Sequence, residues 1–121
     1  MALHLLDLEL LHNFMTSTYS TLTVDPEYRT LWRTSLSRRA TKCGYVMRCL
    51  LAVSALHMLQ LKPGQKHYLA HALDHHRIAS QTAVELMSDI KLDDCEDLWI
   101  FSVLTLFVGQ SRPPPPLTPL I

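Results

Sequence analysis

The chain has no excess charge of either sign. Its eleven basic and eleven acidic side chains cancel. Phosphate neutralisation dominates nucleic-acid affinity, so this balance argues against a free-standing nucleic-acid binder. Glycine is scarce. Gly44, Gly64 and Gly109 stand alone, so there is no glycine-rich loop to cradle a phosphate. Aromatic residues make up 7% of the chain, too few to suggest a stacking or sugar-binding surface. Cysteine is equally sparse: Cys43, Cys49 and Cys95 form no C-x-x-C pair. A closed structural zinc site, which needs four ligands at short spacings, is therefore not supported. An odd, sparse set with no basic leader before an apolar stretch fits a reducing compartment, and secretion is not expected. The longest apolar run, near Trp99–Val108, falls short of the roughly 20 residues that a membrane span requires.

What the chain does have is apolar residues, at 48% of its 121 positions. That is enough for one domain with a sizeable core. The apolar spacing is helical almost throughout, and an all-α bundle of about five helices is expected over residues 1–108. Helix one is expected over 3–21, with Leu8, Leu11, Met15 and Leu22 on one stripe. Its Thr/Ser/Tyr-rich tail (16–21) has poor helix propensity. Asp25-Pro26-Glu27 has the chemistry of a helix start and opens helix two, 26–43. Gly44 is expected to end it in a left-handed conformation. Helix three, 45–61, is apolar nearly all round and should lie at the centre. Lys62-Pro63-Gly64 stops it.

Helix four, 65–88, shows a stripe of Leu69, Ala72, His76, Ala79, Ala83 and Leu86, whose small members admit close approach. Asp93-x-x-Glu96 resembles a capping box and opens helix five, 94–108. Residues 109–121 read as a proline-rich, disordered tail. Pro113–Pro116 favour extended polyproline geometry. Pro116-Leu117-Thr118-Pro119 is a P-x-x-P match that an SH3-type partner could read.

The balanced charge hides an uneven distribution. Residues 25–48 hold six basic and two acidic groups, a net +4; residues 71–99 hold seven acidic and two basic groups, a net −5. Two helix faces that pair across the fold account for this pattern. A basic surface toward DNA or a partner is the sharper alternative.

Seven histidines invite a search for chemistry. His67, His71 and His75 stand four apart on helix four and share a face, so two of them could ligate a metal. The Glu of an H-E-x-x-H site is missing, and a solvated histidine stripe is the expectation. His57 and His76 lie in apolar stretches and read as hydrogen-bonded boundary residues. Asp74 and His75 are sequence neighbours that point about 100° apart on a helix, so they make no acid–base pair. Cys43 and Cys49 read as thiols in or near the core. No G-x-S-x-G turn or other catalytic constellation is present. The expectation is a non-enzyme with no catalytic, cofactor-binding or metal-binding residues and no cofactor.

Four segments together carry a resemblance. They are DLELLHNFMTSTYSTL (Asp7–Leu22), Leu31-Trp32-Arg33, LLAVSALHMLQL (Leu50–Leu61) and CEDLWIFSVLTLF (Cys95–Phe107). In this order and spacing they resemble the opening of the regulatory domain of fungal zinc-cluster transcription factors, in the branch that includes the sterol-uptake control regulators. The likeness runs from about Asp7 to Val108. It implies an all-α regulatory domain of a nuclear protein. Such a domain acts through dimer or other protein contacts, by restraining activation, or by capturing an apolar ligand, in the control of sterol uptake or of a secondary-metabolite cluster.

In that family a six-cysteine module ahead of this domain contacts DNA. These 121 residues do not contain it, so direct sequence-specific DNA binding is not expected of them. A truncated relative or a shortened gene model is the corresponding expectation. With family domains continuing further, helices three and five should lack some of their cover, leaving exposed apolar surface and self-association. A protein partner is thus the leading expectation, with no membrane. A module that senses a sterol or another apolar metabolite is the alternative.

Overall fold

A computed structural model of the protein describes residues 5–111, and all regular structure in them is helical. Helix α1 spans Leu5–Thr16. The hydroxyl-rich residues after it tighten into a 3-10 turn, Thr18–Thr21, where helix one was expected to weaken. The stripe on α1 differs from expectation. Asp7, Leu10 and Phe14 are buried, and Thr18 continues the face one turn on. Leu8 and Met15 lie outside at 48% and 36% exposure. A buried carboxylate with partners displaced the leucine row from the core.

Asp25 caps the next segment as expected. Its Oδ1 accepts from the Glu27 N–H at 2.9 Å, with Pro26 in the first turn. The rod that follows is not a plain α-helix. It runs as α2 (Pro26–Thr30), a π-helical turn (Leu31–Ser35) and α3 (Leu36–Ala40). π-turns are rare and recur at functional sites. The expected left-handed stop at Gly44 does not form. The rod ends at Ala40, closed by backbone bonds from Lys42 to Arg39 (3.0 Å) and from Cys43 to Ala40 (3.3 Å). Gly44 is the first residue of the next helix, and no described glycine has positive φ.

Helix α4 (Gly44–Leu61) is the hub. It packs against α1, α3, α5 (His67–Met87) and α6 (Cys95–Ser111). Eight consecutive residues, Cys49–Leu56, are buried, which requires neighbours on every side. By length and composition α4 alone among the described helices could cross a membrane. Its cover of four helices is that of a core helix. The expected loss of some cover is confined to its ends: Cys49–Leu56 are buried, while Gly44, Gln60 and Leu61 stay exposed.

Helix α5 meets α4 through Tyr68, Ala72, His75, Ala79 and Ala83. The alanines bring the two backbones together as expected, but His75 holds the buried place expected of His76. The acidic lead into α6 forms a 3-10 turn, Leu92–Asp94. The cap is shifted from the expected pair, and the Asp94 carboxylate accepts from the Lys91 N–H at 3.2 Å. Helix α6 runs through Gly109 to Ser111 rather than ending at 108. A glycine inside a helix costs only about 1 kcal/mol. The proline run and the P-x-x-P match lie outside the described residues.

The close α4–α5 contact leaves no room for added methylenes at its centre. Ala79→Leu is expected to destabilise the fold by about 1–3 kcal/mol through overpacking. Urea denaturation should show a lower midpoint at an unchanged slope.

Candidate functional site

Three features stand out on this scaffold: a polar chain under α1, an Asp7–His75–Arg48 triad between the helices, and an open apolar groove. The polar chain pins α1 to α4. Ser54 donates from Oγ to the Leu10 carbonyl at 2.6 Å. Asn13 Nδ2 donates to Ser54 Oγ and to Thr18 Oγ1, both at 3.0 Å. The Thr18 hydroxyl is also hydrogen-bonded to His57 Nδ1 at 2.9 Å. Burial pushes the His57 pKa below its ordinary 6.5, since the charged ring is poorly solvated there. His76 is likewise a boundary residue, stacked on Phe101 at 6.0 Å and 3.2 Å from Thr105 Oγ1.

The triad joins three helices. His75 Nε2 lies 2.8 Å from Asp7 Oδ1, and Arg48 Nη1 lies 3.3 Å from His75 Nδ1. An arginine can only donate, so Nδ1 accepts. Nε2 therefore carries the proton and donates it to Asp7. A buried carboxylate is tolerable here because it is hydrogen-bonded and an arginine balances its charge through the ring. The three histidines of one face thus separate by depth. His75 is buried, His71 is half-buried 6.2 Å from it, and His67 is exposed over the Tyr68 ring. The sequence pattern did not point to Asp7 as their neighbour. The only signal available was its position three residues before Leu10, on the buried face.

The groove lies between the π-turn rod and the start of α6. Tyr28, Leu31, Trp32 and Leu36 form one wall, Trp99 and Ile100 the other, and its volume is about 210 Å³. Trp32 meets Phe107 edge-on at 6.1 Å, which ties the wall to α6. Leu31 and Trp99 stay 51% and 64% exposed. Trp99 begins an outward stripe on α6 that continues through Ser102 and Leu106. The expected exposed apolar surface is therefore on α6 and the rod.

Arg39 edges the groove with ion pairs to Asp97 and to Glu96, the latter at 3.0 Å. There the basic and acidic segments meet. Arg29 and Arg33 donate to the carbonyls of Thr23 and Met15, and Arg33 also sits over the Tyr19 ring. Four of the six basic groups of 25–48 are thus engaged within the chain, which leaves little for a DNA face. Burial raises the Cys43 thiol pKa and pushes that of Cys49 up to about 12, so both stay protonated.

A family model described as "Fungal specific transcription factor domain" matches residues 9–107. The chain belongs to this family. It is also similar to sterol uptake control protein 2 of Saccharomyces cerevisiae (strain ATCC 204508 / S288c), at 30% identity over 89 residues. That match covers 69% of this chain but 9% of the yeast protein. No solved structure matches. The matched family span contains α2 to α5, the groove and the polar chain, and it excludes Asp7.

His57 gives the fold a pH dependence with a definite sign. Its folded pKa is depressed, so the unfolded chain binds more protons. Stability from this group is intact above about pH 6.5 and falls as the pH drops through that value toward the folded pKa. His57→Gln is expected to shrink the fall in Tm between pH 7.5 and 5.5 relative to the parent chain, as read by thermal melts.

Proposed function

We propose that this chain is a transcription-regulating module of a nuclear fungal factor, acting by protein–protein contact through the groove between the π-turn rod and α6. The family membership supports regulation of transcription. The single observation that carries the contact reading is the exposed aromatic and aliphatic pair Trp99 and Leu31 across an open apolar groove, rimmed by the Arg39–Glu96 ion pair. Apolar centres with polar rims mark protein contact sites. Trp and Arg are the residues most enriched among contacts that dominate binding energy.

Control of a sterol-uptake gene set is the finer reading, suggested by what the yeast relative's name says of that protein; a secondary-metabolite gene set rests on the sequence resemblance alone. The alternative, a module sensing an apolar small molecule, would use the same groove. Its open volume of about 210 Å³ is below the roughly 300–1,000 Å³ of ordinary ligand pockets; a larger cleft of about 620 Å³ lined by Leu59, Pro63 and Leu69 is the other place for such a ligand.

A tethering assay tests this. Fused to a heterologous DNA-binding module in a fungal host, the chain is expected to change reporter output. Trp99→Asp and Leu31→Asp should abolish the effect while leaving the circular dichroism spectrum intact. An unchanged effect in both variants would remove the groove from the mechanism. Sedimentation velocity of the free chain should show concentration-dependent self-association that Trp99→Asp suppresses. Thermal stabilisation by a sterol, lost in the same variants, would shift the assignment to ligand sensing.

A further inference from the structure

Asp7, His71 and His75 each offer one ligand atom, and these atoms lie within 4.8 Å of one another. His71 and His75 share one face of α5 at a one-turn spacing, and Asp7 comes from α1. We propose that these three side chains form a Zn²⁺ site that clamps α1 to α5, with water in the fourth position.

Two imidazoles and a carboxylate are a donor set suited to zinc. Zinc bonds of about 2.0–2.2 Å place tetrahedral ligand atoms roughly 3.4 Å apart. The 2.8 Å pair of His75 and Asp7 must then open by about half an ångström, and any separation near the 4.8 Å limit must close. Side-chain torsions supply both. His71, half-buried at the rim, leaves the ion an approach from solvent. Tyr68, which donates to Glu9 Oε1 at 2.8 Å, already holds the two helices in register beside the site.

Arg48 is the internal regulator of this site. Its N–H on Nδ1 forces the proton of His75 onto Nε2, the atom facing Asp7. Zinc takes the Nε2 lone pair, so that proton leaves and Nδ1 gains one, with no net change in ring charge. The Nδ1–H form cannot accept from Arg48, so the guanidinium must move away. Removing it favours the metal-binding tautomer and takes a cation away from the ion.

The site rests on Asp7, which lies outside the family-matched span, so it can stand or fall without the transcriptional reading. Zn²⁺ titration of the full 121-residue chain by calorimetry, with thermal melts and Co²⁺ absorption, tests it. One ion per chain is expected, with a raised Tm and a tetrahedral Co²⁺ spectrum. His71→Gln and Asp7→Asn should each weaken binding at least about tenfold, and His67→Gln should leave it unchanged. Arg48→Met should tighten it. Absence of a Zn²⁺-dependent Tm rise at 100-fold ion excess would overturn the proposal. Loss of binding in His67→Gln equal to that in Asp7→Asn would also overturn it, because that pattern belongs to a surface histidine ladder. A two-histidine site insensitive to Asp7→Asn would do the same.

Discussion

Burial of α4 on every side is the constraint on which the rest of this molecule depends. A helix that hides Cys49–Leu56 without a break leaves each neighbour only one seat. Helix α5 takes the side where alanines allow close approach. Helix α6 and the π-turn rod share the opposite faces through Trp32, Phe107, Tyr45 and Phe101. Helix α1 takes the remaining face. Apolar burial alone would let α1 slide along that face, because it is non-directional. The hydrogen bonds from Ser54 and Asn13 stop the slide. Each must be made or a buried polar group is stranded, at about 1–3 kcal/mol.

The same economy explains where function can sit. The core is sealed by α4's neighbours, so an interaction surface must be built on their outer faces. The π-turn matters here. Leu31 faces solvent while Trp32 turns inward onto Phe107, and the groove opens between them and α6. The charged segments follow the same logic. Their opposite signs are spent chiefly on Arg39 with Glu96 and Asp97, which fix the rod to α6 and define the groove's polar rim.

Helix identity was legible because period and punctuation agree along most of the chain. Asp25-Pro26 and Lys62-Pro63-Gly64 act through local backbone chemistry, and they acted where expected. The central place of α4 was also legible, from apolar residues on all its faces. The left-handed stop at Gly44 and the helix end at 108 were misjudged for one reason. A glycine permits a turn but does not demand one, and Gly44 and Gly109 both keep helical backbone. The stripe of α1 was misread because Leu8 and Leu11 outweighed Asp7 in any hydrophobic pattern. The candidate groove was only partly visible: exposed apolar surface was expected, but its position required knowing which side of α6 the bundle leaves open.

The sequence by itself determined the helical class, the hub helix and the family, since all three reside in local order and spacing. Only the tertiary structure decided that His75 meets Asp7 and Arg48, that His57 bonds to Thr18, and that Trp99 faces Leu31 across open space. Those pairings join residues 27 to 68 positions apart. They are set by how helices stack around α4, and no periodicity within a single helix encodes which faces will meet.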